Sequence, residues 1–348
     1  MGQGLFYGYM APSQPGVLEK LDAIDRKILC TLDYNGRLST TAVAKALKLS
    51  REVVDYRIKQ LHKRGLLTGV TTLVDVKRLG HIKHVIYLRL HDFTKEKEEE
   101  LVDKFRSHKN ITWVASCGGG WDMGLLVSSS NMEEFSNVFN HVTSSCKQHL
   151  GDYLILGEIK EGYAGRGLLS DNFAPKITDR EGIAFQRAFK DKMPSKEVIK
   201  LKPVEKEVLK TLIEEPLISM TDLATKTGVS VPTAKDIVTH LIKEEVVFGF
   251  MPMLSYSKLG YQWHMTFLRF NECTAADERK LIEYFHQHPN ILWYIKTVGS
   301  WNMTISVFAK DATHYREILN GLRKEFSTVI KDYDSVMIFN QHKYLHQI

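Results

Sequence analysis

The spacing of apolar residues predicts a series of short helices near the start of the chain. In LDAIDRKILCTLDY, the apolar side chains at 21, 24, 28, 29 and 32 fall on one helical face. TTAVAKALKL and SREVVDYRIKQLHKRG continue the helical pattern, and Val54, Ile58 and Leu61 share one face of the latter. A break before Ser50 and the strand-like LLTGVTTLVDV then complete the pattern of a winged helix-turn-helix.

From residue 83 the pattern changes to alternating strands and helices. KHVIYLRLH is typical of a strand, TKEKEEELVDKFRSH of a helix, and ITWVASC and MGLLVSS of two further strands. NMEEFSNVFNHVTSSCKQHL (helix) and DYLILGEI (strand) follow. The order βαββαβ is that of a ferredoxin-like unit.

The whole arrangement occurs twice. NITWVASCGGGWDM, beginning at Asn110, corresponds to NILWYIKTVGSWNM, beginning at Asn290, and the offset is 180 residues. The same offset, applied without a gap, gives roughly thirty identities over about 140 positions. We therefore predict an α+β protein of two tandem units, each a winged helix-turn-helix followed by a ferredoxin-like domain.

The predicted boundaries follow from this alignment. Thr178 and Glu181 have capping-box spacing and indicate a helix between the units, whereas GYAGRG at 162–167 indicates a flexible exit from the last strand of the first unit. The predicted segments are a mobile N-terminal arm (1–20), helix-turn-helix 1 (21–76), ferredoxin-like domain 1 (77–163), a linker with a helix (164–200), helix-turn-helix 2 (201–256) and ferredoxin-like domain 2 (257–348).

Composition narrows the class of protein. Hydrophobic residues make up 43% and charged residues 25% of the chain, as in globular proteins, and no apolar run approaches the ~18 residues of a membrane span. The four cysteines, Cys30, Cys117, Cys146 and Cys273, lack the paired spacing of a disulfide framework or zinc site. We expect a cytoplasmic protein with no membrane contact, no metal and no cofactor.

Charge favours DNA binding by the first helix-turn-helix. Residues 21–68 contain ten Lys/Arg against five Asp/Glu, and the outward side of the third helix carries polar and cationic groups. The candidate DNA-contacting residues are Ser39, Thr40, Ser50, Arg51, Glu52, Tyr56, Arg57, Lys59, Lys63 and Arg64. The alternative is a solvated amphipathic helix in a domain used only for packing.

The second helix-turn-helix has a different charge. Residues 201–248 hold six Lys/Arg against eight Asp/Glu, and Lys235 is the only strong cation of the corresponding helix before Lys243. Because phosphate contacts supply much of the affinity for DNA, we expect this copy to bind weakly or not at all. At the preceding turn Gly228 suits a left-handed conformation, whereas the first copy has Lys48.

The glycine-rich stretch ITWVASCGGGWDM has three interpretations. A phosphate-binding loop normally leads from a strand into a helix, and this one leads into another strand. A hairpin turn explains the glycines, but a carboxylate and an indole beside exposed N–H groups could also hold a small amino acid. The candidate effector-binding residues are Gly118, Gly119, Gly120, Trp121, Asp122, Gly299, Trp301 and Asn302.

A helix-turn-helix followed by a βαββαβ domain resembles the Lrp/AsnC (feast/famine) family of transcription regulators. IDRKIL, STTAVAKALKLSREVVDYRIKQLHKRGLL, VKRLG and GWDMGLLV carry the resemblance, which covers about 21–163 and again 201–345. It implies sequence-specific binding of double-stranded DNA, dimerisation through the sheet, and small effectors, often amino acids, near the Gly-x-aromatic-Asp turn. With one basic helix-turn-helix per chain, a homodimer or higher homo-oligomer is expected.

Two other functions remain open at this point. The chain could be an adaptor that uses both units as interaction surfaces without binding DNA. Siroheme decarboxylases also resemble this family and have an Asn-Met dipeptide near the corresponding hairpin, to which Asn302-Met303 is similar. The basic and His residues expected before that dipeptide are absent, since YIKTVGSWNM offers only Lys296, so we expect no enzyme activity.

Overall fold

The structure is a computed structural model that describes residues 18–170, 173, 175–177 and 197–345. The linker helix predicted at Thr178 and most of the predicted N-terminal arm lie outside these residues. The end of that arm is held in place, because the Glu19 backbone N–H donates to the Lys258 carbonyl at 2.8 Å.

The first unit begins with three helices and one strand, α1 (Ala23–Tyr34), α2 (Thr40–Leu47), α3 (Arg51–Lys63) and β1 (Leu67–Val74). Its second half has the order βαββαβ and consists of β2 (Ile82–Leu90), α4 (Lys95–Ser107), β3 (Ile111–Gly119), β4 (Met123–Ser129), α5 (Met132–Cys146) and β5 (Leu150–Tyr163). A one-turn helix, α6 (Gly167–Ser170), follows.

The second unit repeats the same order. Its helix-turn-helix contains α7 (Pro203–Glu214), α8 (Met220–Thr227), α9 (Val231–Lys243) and β6 (Val247–Leu254). The βαββαβ half consists of β7 (Gln262–Phe270), α10 (Ala275–Gln287), β8 (Ile291–Val298), β9 (Met303–Ala309), α11 (Ala312–Glu325) and β10 (Ile330–Tyr344). The predicted fold class and tandem duplication are confirmed.

The two ferredoxin-like halves close into one barrel. Each forms a four-stranded sheet, β3-β4-β2-β5 in the first unit and β8-β9-β7-β10 in the second. The sheets join at two equivalent antiparallel seams, β5 with β8 and β10 with β3. The ferredoxin-like domains therefore pair within the chain.

The helix-turn-helix halves are also paired. Strand β1 runs antiparallel to β6, with Leu67 opposite Leu254 and Val74 opposite Val247, so each wing is completed by a strand of the other unit. Arg37 strengthens this contact, because its guanidinium donates to the Ile218 carbonyl at 2.7 Å. The two units are joined along their whole length.

The predicted flexible exit at 162–167 is wrong. Gly162 and Tyr163 continue β5 along β8, where they lie opposite Tyr294 and Trp293. Arg166 is buried and forms an ion pair with Asp33 of α1, and its Nη2 donates to the Pro252 carbonyl at 2.7 Å. This segment ties the barrel to both helix-turn-helix halves, which glycine content alone does not reveal.

A half-buried histidine stacks on an aromatic ring at equivalent places in the two units. His84 lies 4.1 Å from Phe135 between ring centroids, and His264 lies 4.0 Å from Tyr315. Burial lowers the pKa of His264 to about 4. Its folded-state pKa is thus below the unfolded value of about 6.5, and protonation opposes folding.

We predict that the free energy of unfolding falls as the pH drops from about 6.5 to 4, because His264 must then be charged in a site that disfavours charge. Allowing for the part of the ring that water reaches, His264→Phe should remove about 2 kcal/mol of that acid-dependent loss. Urea unfolding at pH 7.5 and pH 4.5 measures this difference. Identical pH dependence in wild type and variant would contradict it.

The turn of each helix-turn-helix, between α2 and α3 in the first unit and between α8 and α9 in the second, contains a left-handed residue. Lys48 has φ 55° and ψ 42° in the first unit, and Gly228 has φ 69° in the second. A side chain at such a backbone position is strained, whereas glycine is not. The difference that the sequence predicted at this turn is therefore present.

We predict that Lys48→Gly raises the free energy of unfolding by about 0.5–1 kcal/mol, because relief of backbone strain exceeds the added entropy of the unfolded chain. Gly228→Lys is the mirrored control and should lower it by a similar amount, since no atom lies within 4 Å of an added Cβ. Chemical unfolding at pH 7 measures both. Destabilisation by Lys48→Gly would contradict the strain argument.

Candidate nucleic-acid interface and effector hairpin

Helix α3 presents one polar face to solvent. Val54 and Leu61 are fully buried on its inner side, and the Ser50 hydroxyl caps its start by accepting from the Val53 N–H at 3.3 Å. The exposed face contains Arg51, Glu52, Tyr56, Lys59 and Lys63. Tyr56 is 61% exposed, so its ring and hydroxyl are open to solvent.

The start of α2 lies beside this face in sequence and is also accessible. Ser39 is exposed, and its hydroxyl accepts from the Ala42 N–H at 3.1 Å. Thr40 is half-buried at the first position of the helix. Backbone N–H groups at helix starts attract anions, so these residues suit phosphate contact.

Arg57 and Arg64 are engaged elsewhere, although the sequence placed both among the phosphate-contacting candidates. Arg57 forms ion pairs with Asp22 and, at 3.2 Å, with Asp25 of α1. Arg64 reaches Asp25 at 3.2 Å and Glu19 at 2.8 Å. Because Asp25 is buried, these pairs hold α3 against α1, and contact of either arginine with DNA stays a prediction.

The ion pair with Arg57 also affects the pKa of Asp22. Burial alone would raise the pKa of the Asp22 carboxyl, but the Asp25 backbone N–H and the Arg57 guanidinium outweigh burial and hold that pKa below its usual value. Asp22 also caps α1 by accepting from the N–H groups of Ile24 and Asp25. The orientation of α3 therefore depends on a carboxylate that stays ionised at neutral pH.

Helix α9 offers a different surface. Lys235 and Lys243 are exposed on it, but Asp236 is exposed between them. Lys226 of α8 is paired with Glu215, which removes a further cation from the face that would meet phosphates. The second helix-turn-helix therefore keeps the apolar core of the first but presents a weaker cationic surface.

The glycine stretch is only partly a turn. Gly118 and Gly119 belong to strand β3, opposite Met337 and Val336, and only Gly120 lies in the turn. The expectation that all three glycines form the turn is therefore wrong. A Cβ at Gly118 would stand 2.4 Å from the Phe339 ring, so any other residue there would displace this ring at the seam with β10.

The side chains that close the hairpin contact their own sheet. Asp122 Oδ2 accepts from the Leu90 N–H at 2.7 Å, and Asn302 Oδ1 accepts from the Phe270 N–H at 2.8 Å. At either position, a single side-chain oxygen accepts the hydrogen bond from the backbone N–H at the end of the neighbouring strand. The change from Asp122 to Asn302 between the units therefore preserves this bond.

An arginine covers each hairpin tryptophan. The Arg89 guanidinium lies 4.9 Å from the Trp121 ring centroid, and Arg269 lies 4.5 Å from that of Trp301. Arg89 Nε also donates to the Gly120 carbonyl at 2.8 Å. The sequence-based hypothesis overlooked these arginines, although both sit at the conserved offset of 180 residues. Effector binding by the hairpin residues stays a prediction.

Two helix-turn-helix models match the chain. Residues 21–62 match the AsnC-type helix-turn-helix domain, and residues 201–247 match a winged helix-turn-helix DNA-binding domain. The proline dehydrogenase transcriptional activator of Rhodobacter capsulatus is 32% identical over 127 residues, which are 36% of this chain and 82% of that protein. The chain belongs to the Lrp/AsnC family of transcription regulators.

Other comparisons agree on family and fold. The HTH-type transcriptional regulator FL11 of Pyrococcus furiosus is 27% identical over 124 residues, covering 36% of this chain and 81% of that protein. The crystal structure of the siroheme decarboxylase NirDL superposes with a TM-score of 0.60 at 12% identity, covering 93% of both chains. This member of the Lrp/AsnC family thus shares a two-unit fold with NirDL.

The described residues contain no group of three His, Cys, Asp or Glu side chains placed to hold a metal ion. In the same part of the chain, no helix combines the length and apolar character required to cross a bilayer.

We predict that Asp122→Asn changes the free energy of unfolding by less than about 0.5 kcal/mol, because Asn keeps the acceptor for the Leu90 N–H. Asp122→Ala should lower it by about 1–2 kcal/mol by leaving that N–H unpaired. Asn302→Asp and Asn302→Ala are the matched pair in the second unit. Equal destabilisation by Asn and Ala at position 122 would show that the negative charge, not the acceptor, matters.

Proposed function

We propose that this chain is a sequence-specific DNA-binding regulator in which α3 of the first unit is the recognition helix. The main support is the exposed face of α3, which presents Arg51, Tyr56, Lys59 and Lys63 to solvent. The opposite face of the helix packs into the core. Tyr56 and Arg51 suit contacts with base edges, and Lys63 suits a phosphate. Lys59 is exposed but lies 2.7 Å from Asp55, so part of its charge is offset.

The second unit has another role in this proposal. It completes the barrel through β8 and β10 and supplies the strand that pairs with wing β1. In this proposal, helix α9 does not contact bases. Binding of a two-fold symmetric DNA site would require two chains, because each contributes one recognition helix.

Association of two chains would use a surface outside the barrel seams. In the described part of the chain, every barrel strand has two neighbours, so the barrel offers no open edge to a second copy. We propose a homodimer on DNA that is assembled through other surfaces. A small effector such as an amino acid would act on this assembly at the hairpins.

An enzymatic role is the weaker candidate, and the shared fold with NirDL is the observation that raises it. Before Asn302-Met303, the cation of β8 is Lys296, and its Nζ lies 2.5 Å from Glu278. Neutralisation of Lys296 by this carboxylate leaves little there for proton donation or for binding an acidic substrate. We propose that the chain is not a decarboxylase.

We predict that Arg51→Ala/Lys63→Ala weakens binding to DNA from the protein's own promoter region at least tenfold at about 0.1 M salt. The salt dependence should also lose about one unit of slope for each phosphate contact removed. Fluorescence anisotropy across a salt series measures both. Arg57 is left unchanged, because its loss would release α3 from α1.

Lys235→Ala/Lys243→Ala is the matched control and removes the same number of charges from α9. It should leave the affinity within about twofold. Circular dichroism of each variant checks that the helices remain. Equal losses in the two double variants would contradict a single recognition helix, and absence of salt-dependent binding by the wild type would favour an adaptor.

A further inference from the structure

A cavity of about 110 Å³ lies inside the barrel, where the two units meet. Residues related by the offset of 180 line it in pairs, which places it on the approximate two-fold axis of the chain. The pairs include Trp113 with Trp293 and Val85 with Met265. Most of its wall is aromatic or aliphatic, as in pockets that hold small organic molecules.

Two N–H donors in the wall have no partner among the described residues. Trp113 Nε1 donates to Gln341 Oε1 at 3.1 Å, which fixes the orientation of the amide because an indole nitrogen can only donate. Gln341 is 5% exposed, and its Nε2 is left unpaired, as is the buried Nε1 of Trp263. Buried donors of this kind are costly unless an acceptor meets them.

The ionised groups of the wall are already paired. Lys83 Nζ lies 2.9 Å from Glu158 and 3.1 Å from Glu161, and Lys77 lies 2.8 Å from Glu158. Arg166 is paired with Asp33. Three cations therefore balance three carboxylates. A charged ligand would therefore be buried without a counter-ion, which is costly. An uncharged hydrogen-bond acceptor needs no counter-ion.

The unpaired donors arise from divergence between the two copies. Trp263 occupies the position equivalent to Lys83, and Gln341 occupies that of Glu161. The first copy thus contributes a closed ion-pair cluster and the second contributes two N–H donors to the same cavity. Two identical chains could not build this combination, because each residue would occur on both sides of the axis.

We propose that this cavity binds a small uncharged carbonyl compound with an apolar body of about six non-hydrogen atoms, whose oxygen accepts from Gln341 and Trp263. The size of the ligand is inferred from the cavity volume of about 110 Å³. This volume is of the same order as the ~150 Å³ of a protein cavity known to hold benzene. The aromatic wall contacts the apolar body, and the two donors orient the carbonyl.

The cavity is joined to the DNA-binding half. Met251 and Met253 of β6 belong to its wall, and Arg166 connects it to α1 through Asp33. Ligand binding would therefore bear on the wing and on the helix that holds α3. This regulatory consequence rests on the proposed function, but the binding site itself does not.

The test is a titration of full-length protein, labelled with ¹⁵N at its tryptophan indoles, with cyclopentanone. We expect a saturable shift of the Trp263 indole N–H signal with a Kd on the order of 1 mM, and unmoved signals from Trp121 and Trp301. Methylenecyclopentane has the same shape without the acceptor and should shift Trp263 little. Valine, a zwitterion, should not compete.

Gln341→Met should raise the Kd for cyclopentanone about tenfold, whereas Gln148→Met, at an exposed position, should not change it. If Gln341→Met fails to fold, Trp263→Phe removes the other donor and the Trp113 signal reports binding. No shift at Trp263 in folded wild type, or a stronger response to valine, overturns the proposal. No DNA is present, so failure of DNA binding is detected separately by anisotropy.

Discussion

Strand edges expose backbone N–H and C=O groups that must be paired, and the two βαββαβ units satisfy each other's edges at the seams β5–β8 and β10–β3. This mutual pairing fixes the rest of the molecule. It surrounds the cavity, accompanies the pairing of β1 with β6, and places the Phe339 ring over Gly118. The chain is thereby a complete two-fold assembly by itself.

Duplication within one chain frees the two copies to diverge. Helix α3 of the first helix-turn-helix carries four Lys or Arg residues, whereas the equivalent helix of the second keeps the apolar core but carries only two. In the cavity wall, Trp263 and Gln341 of the second copy stand at the positions equivalent to Lys83 and Glu161 of the first. One unit can therefore specialise in DNA while both shape a single asymmetric cavity.

Periodicity and the offset of 180 residues were sufficient to predict the helices, the βαββαβ order and the duplication, because these depend on local patterns. These patterns could not identify the partner of an edge strand, because apolar and polar side chains alternate in the same way whichever strand lies beside it. The engagement of Arg57 with Asp22 was hidden for a similar reason, as exposed and paired arginines have the same sequence. Gly118 resembled a turn residue until Phe339 was placed beside it.

The central claim is that each chain provides one recognition helix, so two chains are required on a symmetric DNA site. Native mass spectrometry of the protein saturated on the shortest duplex that it binds tightly tests this claim most directly. The account predicts two chains per duplex. A saturated complex with one chain per duplex would contradict it.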